Sequence, residues 1–106
     1  MTVQDNKLEA LLSQRFYDGV RRLGGICEKL APTRWGVPDR LVLLPGGRLY
    51  LVELKTVSGA VRPAQKVWHQ RALALGVEVV VLHGHTQIDQ WLLRKAATLE
   101  AEQATS

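Results

Sequence analysis

Pro38-Asp39-Arg40-Leu41-Val42-Leu43-Leu44-Pro45-Gly46-Gly47-Arg48-Leu49-Tyr50-Leu51-Val52-Glu53-Leu54-Lys55 is the stretch whose reading decides the fold. Two runs rich in Leu, Val and Tyr flank a Pro-Gly-Gly turn, so a β-hairpin is predicted, with strands over 39–44 and 48–55. Side chains alternate along a strand, so Glu53 and Lys55 leave from one face and Val52 and Leu54 from the other. An isolated E-x-K at a strand end is ordinarily a solvated ion pair. Asp39 changes that reading. If the turn takes three residues, Pro45 to Gly47, Leu44 faces Arg48, and counting outward sets Asp39 opposite Glu53, with Cβ atoms about 5 Å apart on one face. A turn of two or four residues slips the register by one and sends Asp39 to the other face, unless a bulge restores it.

Upstream of the hairpin, Leu8, Leu11, Leu12, Phe16, Val20 and Leu23 recur at helical spacing until Gly24-Gly25, and Thr2 with Asp5 resembles a capping box. A short strand over 26–30 follows, then a loop over 31–38 with two prolines and Gly36. Downstream, 56–62 reads as a loop, and Pro63 opens a helix that runs to Leu75 and stops at Gly76. Val77 to Leu82 is a β-branched run that fits a buried strand. A last helix, opened by Thr86 or Asp89, carries Ile88, Trp91, Leu92, Lys95, Ala96 and Leu99. The order αβββαβα predicts an α/β sandwich around a central mixed sheet. Residues 1–99 form its single domain, and the polar segment 100–106 is expected to fray.

The chain has 106 residues, 46% of them hydrophobic and 23% charged, as one compact soluble domain requires. A domain this small has little room for a separate specificity module unless it pairs with a second copy. Cys27, the lone cysteine, excludes an intramolecular disulfide and a cysteine-rich zinc site, and points to an intracellular protein. Asp5, Lys7 and Glu9 interrupt the N-terminus and argue against a secretory signal, and no run is long enough to span a bilayer, so a cytoplasmic location without a membrane partner is expected. Lys and Arg number 14 against 10 acidic residues, a net +4 that favours an anionic partner. Arg34, Arg40, Arg62 and Lys66 lie among the candidate functional residues and are the expected contacts to that partner.

Two carboxylates sharing a face, with the backbone carbonyl of Leu54 between Glu53 and Lys55, supply the hard oxygen ligands that Mg²⁺ prefers, leaving positions for phosphate and water. The Lys55 ammonium beside them would orient the water or stabilise charge that builds on the phosphate.

Pro38-Asp39 followed by Glu53-Leu54-Lys55 resembles the PD-(D/E)XK signature of restriction-enzyme-like nucleases. The surrounding pattern is more specific: Glu9 on the first helix, Gly36-Val37-Pro38-Asp39 opening the hairpin, Gly46-Gly47-Arg48 turning it, and Gln65 beginning the second helix. Together these resemble the virus-type replication-repair nuclease (VRR-NUC) family, over nearly the whole span from Glu9 to Leu92. The resemblance implies a restriction-endonuclease-like, Holliday-junction-resolvase-like fold, Mg²⁺ or Mn²⁺ as cofactor, branched DNA as substrate and a phage or prophage source. It also implies Asp39 and Glu53 as metal ligands, Lys55 as the catalytic lysine, Gln65 as a helix-borne catalytic glutamine and Glu9 as a helical acid in the metal's outer shell.

The remaining residues read less sharply. Asn6-x-x-Glu9 also fits a capping box. On periodicity alone Gln65 is an exposed helix former. Trp35, beside Arg34, would stack on an unpaired base or cover the core. His69, His83 and His85 have no partners at metal-ligand spacing and read as incidental, and Trp68 and Trp91 read as core. A DNA endonuclease acting as a homodimer is the leading expectation, because paired incision of a four-way junction needs two centres related by symmetry. A nonspecific or sequence-specific nickase, and a non-cleaving nucleic-acid-binding module of the same fold, are the alternatives.

Overall fold

Alternation along the hairpin sorts the molecule into two faces. The computed structural model describes residues 3–31 and 36–105, with side chains from Asn6 to Ala104 within those spans, so the Thr2 cap lies outside the described residues. The elements are α1 (Val3–Arg22), β1 (Ile26–Lys29), β2 (Arg40–Leu44), β3 (Arg48–Lys55), α2 (Pro63–Ala74), β4 (Val79–His83) and α3 (Gly84–Thr105). This is the expected αβββαβα order. One sheet runs β1-β2-β3-β4, antiparallel across the first two pairings and parallel between β3 and β4. The parallel step exists because α2 carries the chain back across the sheet between those strands.

The hairpin turn takes three residues, and Leu44 pairs with Arg48 and Arg40 with Val52. Val42, Leu44 and Val52 therefore enter a core with Phe16 and Val20 of α1 and Ile88 and Trp91 of α3. Trp91 centres it, 5.6 Å from the Phe16 ring and 5.3 Å from Tyr50 in an edge-on contact. Lys95 lays its ammonium 4.9 Å from the Tyr50 ring centroid, which lets a charged residue occupy the inner stripe of α3.

Several expected boundaries and positions shift. Leu8 and Leu11 of α1 are exposed, because the sheet begins to cover that helix only at Leu12. α3 starts at Gly84, ahead of Thr86, with the His83 N–H taken by Gln87 Oε1 at 2.7 Å. It also runs past Leu99 to Thr105 in place of the frayed tail, because Leu99 is buried and Glu102 pairs with Arg48 at the start of β3. Trp68 is half-buried on α2, whereas Trp91 is core.

The loop ahead of Asp39 is fixed at both ends. Leu30 N–H donates to the Asp39 carbonyl at 2.9 Å, continuing the β1–β2 ladder, and the Pro38 ring is fully buried. Gly36, at φ +85°, lies so close to α2 that a Cβ would meet the Ala64 carbonyl oxygen at 2.3 Å. Gly47 has a similar φ of +75° but open space around it. Gly36→Ala should therefore cost about 2 kcal/mol or more in urea unfolding, strain plus a clash with backbone, whereas Gly47→Ala should cost about 1 kcal/mol, strain alone. Equal losses would show that the loop does not press on α2.

Candidate active site

Continuing the β2–β3 register one residue beyond Arg40 and Val52 sets Asp39 across from Glu53. β3 outlasts β2 there, so the Leu54 N–H has no strand partner and donates to Asp39 Oδ1 at 3.3 Å. In an extended strand the N–H and C=O of one residue leave on the same side, so the Leu54 carbonyl faces the same gap. Glu53 is only 1% exposed, and its Oε1 is buried without a hydrogen-bond partner. Burial, and then the Asp39 charge, push the Glu53 carboxyl up to about 7. Burial also raises Asp39, against the pull of Arg40 and the Leu54 N–H.

Gln65 joins the rest of the site to this pair. Pro63 starts α2, and Gln65 in its first turn takes the Arg62 N–H on Oε1 at 2.8 Å, satisfying a free donor at the helix start. The same oxygen accepts from Lys55 Nζ at 3.0 Å, while Nε2 donates to Glu53 Oε2 at 3.2 Å. Only this amide orientation serves all three partners, since the flipped one would set an NH₂ against an ammonium and a backbone N–H. Lys55 and Glu53 thus meet the helix through one side chain.

Asp39, Glu53, Lys55 and Gln65 are brought together, and other expected participants are not. Glu9 is exposed on α1, one turn ahead of Leu12 and Ser13 where contact with the sheet begins. Among the described residues no three His, Cys, Asp or Glu side chains gather to hold a metal. Arg40, expected as a DNA contact, is 6% exposed. Its guanidinium donates to the Asp39 carbonyl and to Ser13 Oγ, with Nη1 3.9 Å from Asp39 Oδ2, so it supports the carboxylates from inside the protein. Arg62 and Lys66 are exposed beside Gln65, and Arg34 and Trp35 lie outside the described residues.

His69 is the addition. One helical turn after Gln65, it is half-buried with Nε2 lacking a partner, and burial followed by the Lys55 charge lowers its pKa. The i, i+4 spacing from Gln65 was the available signal. His83 pairs in register with Lys55, and its Nδ1 lies 3.2 Å from the Thr56 carbonyl oxygen, at the base of the loop leaving the site.

Two carboxylates and a carbonyl are hard donors, and an orphaned buried carboxylate oxygen fits a cation better than any neutral ligand. The small number of protein ligands suits Mg²⁺, which keeps several waters. Without a cation, Glu53 destabilises the folded chain once ionised. Its proton leaves near pH 4.5 in the unfolded chain and near 7 in the folded one. The raised value contributes stability below 4.5 that is lost as pH rises to about 7, on the order of 3 kcal/mol. Glu53→Gln has no such proton to lose. In urea unfolding without metal, its stability relative to the parent should rise by about 2–3 kcal/mol between pH 4.5 and 8. A constant difference across that range would mean that Glu53 ionises freely.

No protein-family model matches the chain. It is 43% identical over 75 residues to "Putative nuclease p44" of Acyrthosiphon pisum secondary endosymbiont phage 1, a span of 70% of this chain and 81% of that protein. A solved structure described as a VRR_NUC domain matches with a TM-score of 0.71 and 32% identity, covering 77% of this chain and 90% of the solved one. The mixed sheet with its flanking helices is the restriction-endonuclease-like sandwich, and with the Asp39–Glu53–Lys55 constellation at its hairpin the chain belongs to the VRR-NUC family of nucleases.

Proposed function

We propose that this VRR-NUC nuclease is a Mg²⁺-dependent endodeoxyribonuclease that hydrolyses phosphodiester bonds at branched DNA, acting as a homodimer on four-way (Holliday) junctions. The observation that carries the reading is the buried, unpartnered Glu53 Oε1 beside Asp39 and Lys55. Mg²⁺, with Mn²⁺ as a substitute, would be held by Asp39, Glu53 and the Leu54 carbonyl, and would polarise the phosphate and acidify a bound water. Lys55, tethered by Gln65, holds positive charge where the phosphate enters. There it stabilises the negative charge that grows as the water oxygen, its proton passing to solvent, bonds to phosphorus and the opposite P–O bond breaks, the departing oxygen taking a proton from solvent. Arg62 and Lys66, exposed at the start of α2, would meet flanking phosphates. No helix among the described residues is long and apolar enough to cross a membrane, and the phage relative supports a phage or prophage source.

Labelled linear, flapped and four-way DNA, incubated with and without Mg²⁺, tests the proposal. Asp39→Asn and Glu53→Gln should keep the fold and lower cleavage at least ~10³-fold, because each removes a charged ligand. Lys55→Ala should lower turnover by about 10²-fold or more with little change in DNA affinity, as expected of a group acting on the transition state. Cleavage at subsaturating Mg²⁺ should rise with pH up to about 7, where Glu53 ionises, and then level off. Full activity in chelator overturns the metal assignment. Binding without cleavage in Mg²⁺ and Mn²⁺ would favour a non-cleaving module, and equal cutting of linear and four-way DNA would leave a nickase.

A further inference from the structure

A helix that packs on a sheet ordinarily turns its apolar residues inward. Much of α2 does the reverse. At the helical repeat Gln65, His69 and Ala72 fall within an arc of about 60°, and Ala72, the buried residue of α2, marks that arc as the side facing the protein. Val67 and Leu73 of the same helix are 55% and 60% exposed. Two polar side chains thus take the inner stripe while apolar ones stand in water. Gln65 is explained by its bonds to Lys55 and Glu53. No contact explains His69. Its Nε2 is buried without a hydrogen-bond partner, a condition shared among the described residues by Glu53 Oε1 alone. An unsatisfied ring nitrogen destabilises the chain relative to an apolar side chain of similar volume, so packing is a poor reason for a histidine there.

The state of the ring follows from its neighbour. Burial, and then the Lys55 charge, lower its pKa and so keep the imidazole neutral at neutral pH. A neutral ring has one protonated nitrogen, and beside an ammonium the favoured tautomer carries its proton on Nδ1 and leaves Nε2 a bare acceptor. Lys55 is the complementary case. Its Nζ has three N–H donors, of which Gln65 Oε1 takes one at 3.0 Å. That oxygen also accepts the Arg62 N–H, so both its lone pairs are in use and it holds the ammonium by a single bond. His83, in register with Lys55, has its Nδ1 3.2 Å from the Thr56 carbonyl oxygen, where it ties down the loop.

We infer that His69 is a positioning residue of the active site: its Nε2 is the second acceptor for the Lys55 ammonium, so that two successive turns of α2 hold the lysine and aim its third N–H at the phosphate. No direct bond joins the two in the free chain, and a rotation at the end of the flexible Lys55 side chain or one bridging water closes the contact. The gain is in direction. An ammonium held by one bond sweeps a cone about it, whereas two bonds fix where the remaining N–H points, and catalysis depends on such aim. The inference rests on the reading above that Lys55 acts on the phosphate.

A double-mutant cycle on cleavage, joined to histidine NMR that needs no activity, is the test. His69→Leu removes the ring nitrogen at similar volume, so it should stay folded with a thermal midpoint no lower than the parent's. It should nonetheless slow single-turnover cleavage of DNA in Mg²⁺ about tenfold with DNA affinity unchanged. His69→Gln, which returns a polar atom near the Nε2 position, should recover the rate to within about threefold of the parent. On a Lys55→Met background His69→Leu should bring no further loss, because its effect passes through the ammonium. Should His69→Leu misfold, His69→Met takes its place in the cycle. Long-range proton–nitrogen correlation of the parent at neutral pH, without metal or DNA, should show His69 Nε2 unprotonated, and its resonance should move in Lys55→Met. A ring protonated on Nε2, a resonance indifferent to Lys55→Met, an unchanged cleavage rate, or an equal loss with and without Lys55 overturns the inference. A parent protein that cuts no DNA in Mg²⁺ or Mn²⁺ would remove the nuclease proposal alone, since the spectra still decide whether His69 holds Lys55.

Discussion

Pro45 to Gly47 separate Leu44 from Arg48, and because side chains alternate along both strands, that count of three decides which face each residue of β2 and β3 takes. Gly46 and Gly47 supply the positive φ values, +90° and +75°, that close the turn. The Arg48–Glu102 ion pair then holds the start of β3 to α3. With this register Val42 and Val52 fill the core, and Arg40 points inward to Ser13 while Asp39 and Glu53 meet on the far side. A one-residue slip of β2 would drive Asp39 against α1 and present Arg40 to the site, so core and carboxylate pair stand or fall with the same turn.

The site works against the stability of the chain that carries it. An ionised Glu53 without a partner on one oxygen is a buried charge only partly compensated, which is why its carboxyl holds a proton to about pH 7. Arg40 offsets part of that charge from behind, and Gln65 takes one Glu53 oxygen while tethering Lys55. None of these contacts satisfies Glu53 Oε1. A sequence selected for the stability of the isolated chain would place Gln or an apolar residue there.

The sheet and the carboxylate pair were legible in the sequence because they follow from short-range rules, alternation and turn length for the strands, 3.6-residue spacing for α1 and α3, and Pro63 and Gly76 as the bounds of α2. Features set by tertiary contact were not. Arg40 looks like any surface cation until the core is assembled around it, and Leu8 and Leu11 look like core until α1 is seen to project beyond the sheet. The extension of α3 to Thr105 depends on Glu102 meeting Arg48, 54 residues away in sequence, and no local pattern encodes that meeting. Metal-ligand spacing makes His69 look incidental, whereas its place follows from sharing a helix face with Gln65. Gln65 itself was legible through the family resemblance, since periodicity alone gives it an exposed position.

The length of α2 decides how much of the sheet's far face is covered. Its 12 residues make a helix about 18 Å long, enough to carry Gln65 to the Glu53–Lys55 end and return the chain to β4. A longer or additional helix on that side would cover Ile26, Leu43 and Leu49, but it would also crowd the approach to Asp39, which lies one residue ahead of β2 on the face of Leu43. A nuclease's nucleic-acid substrate needs that approach open. The apolar strip left bare is the cost of that access, because exposed apolar surface lowers the solubility of the chain.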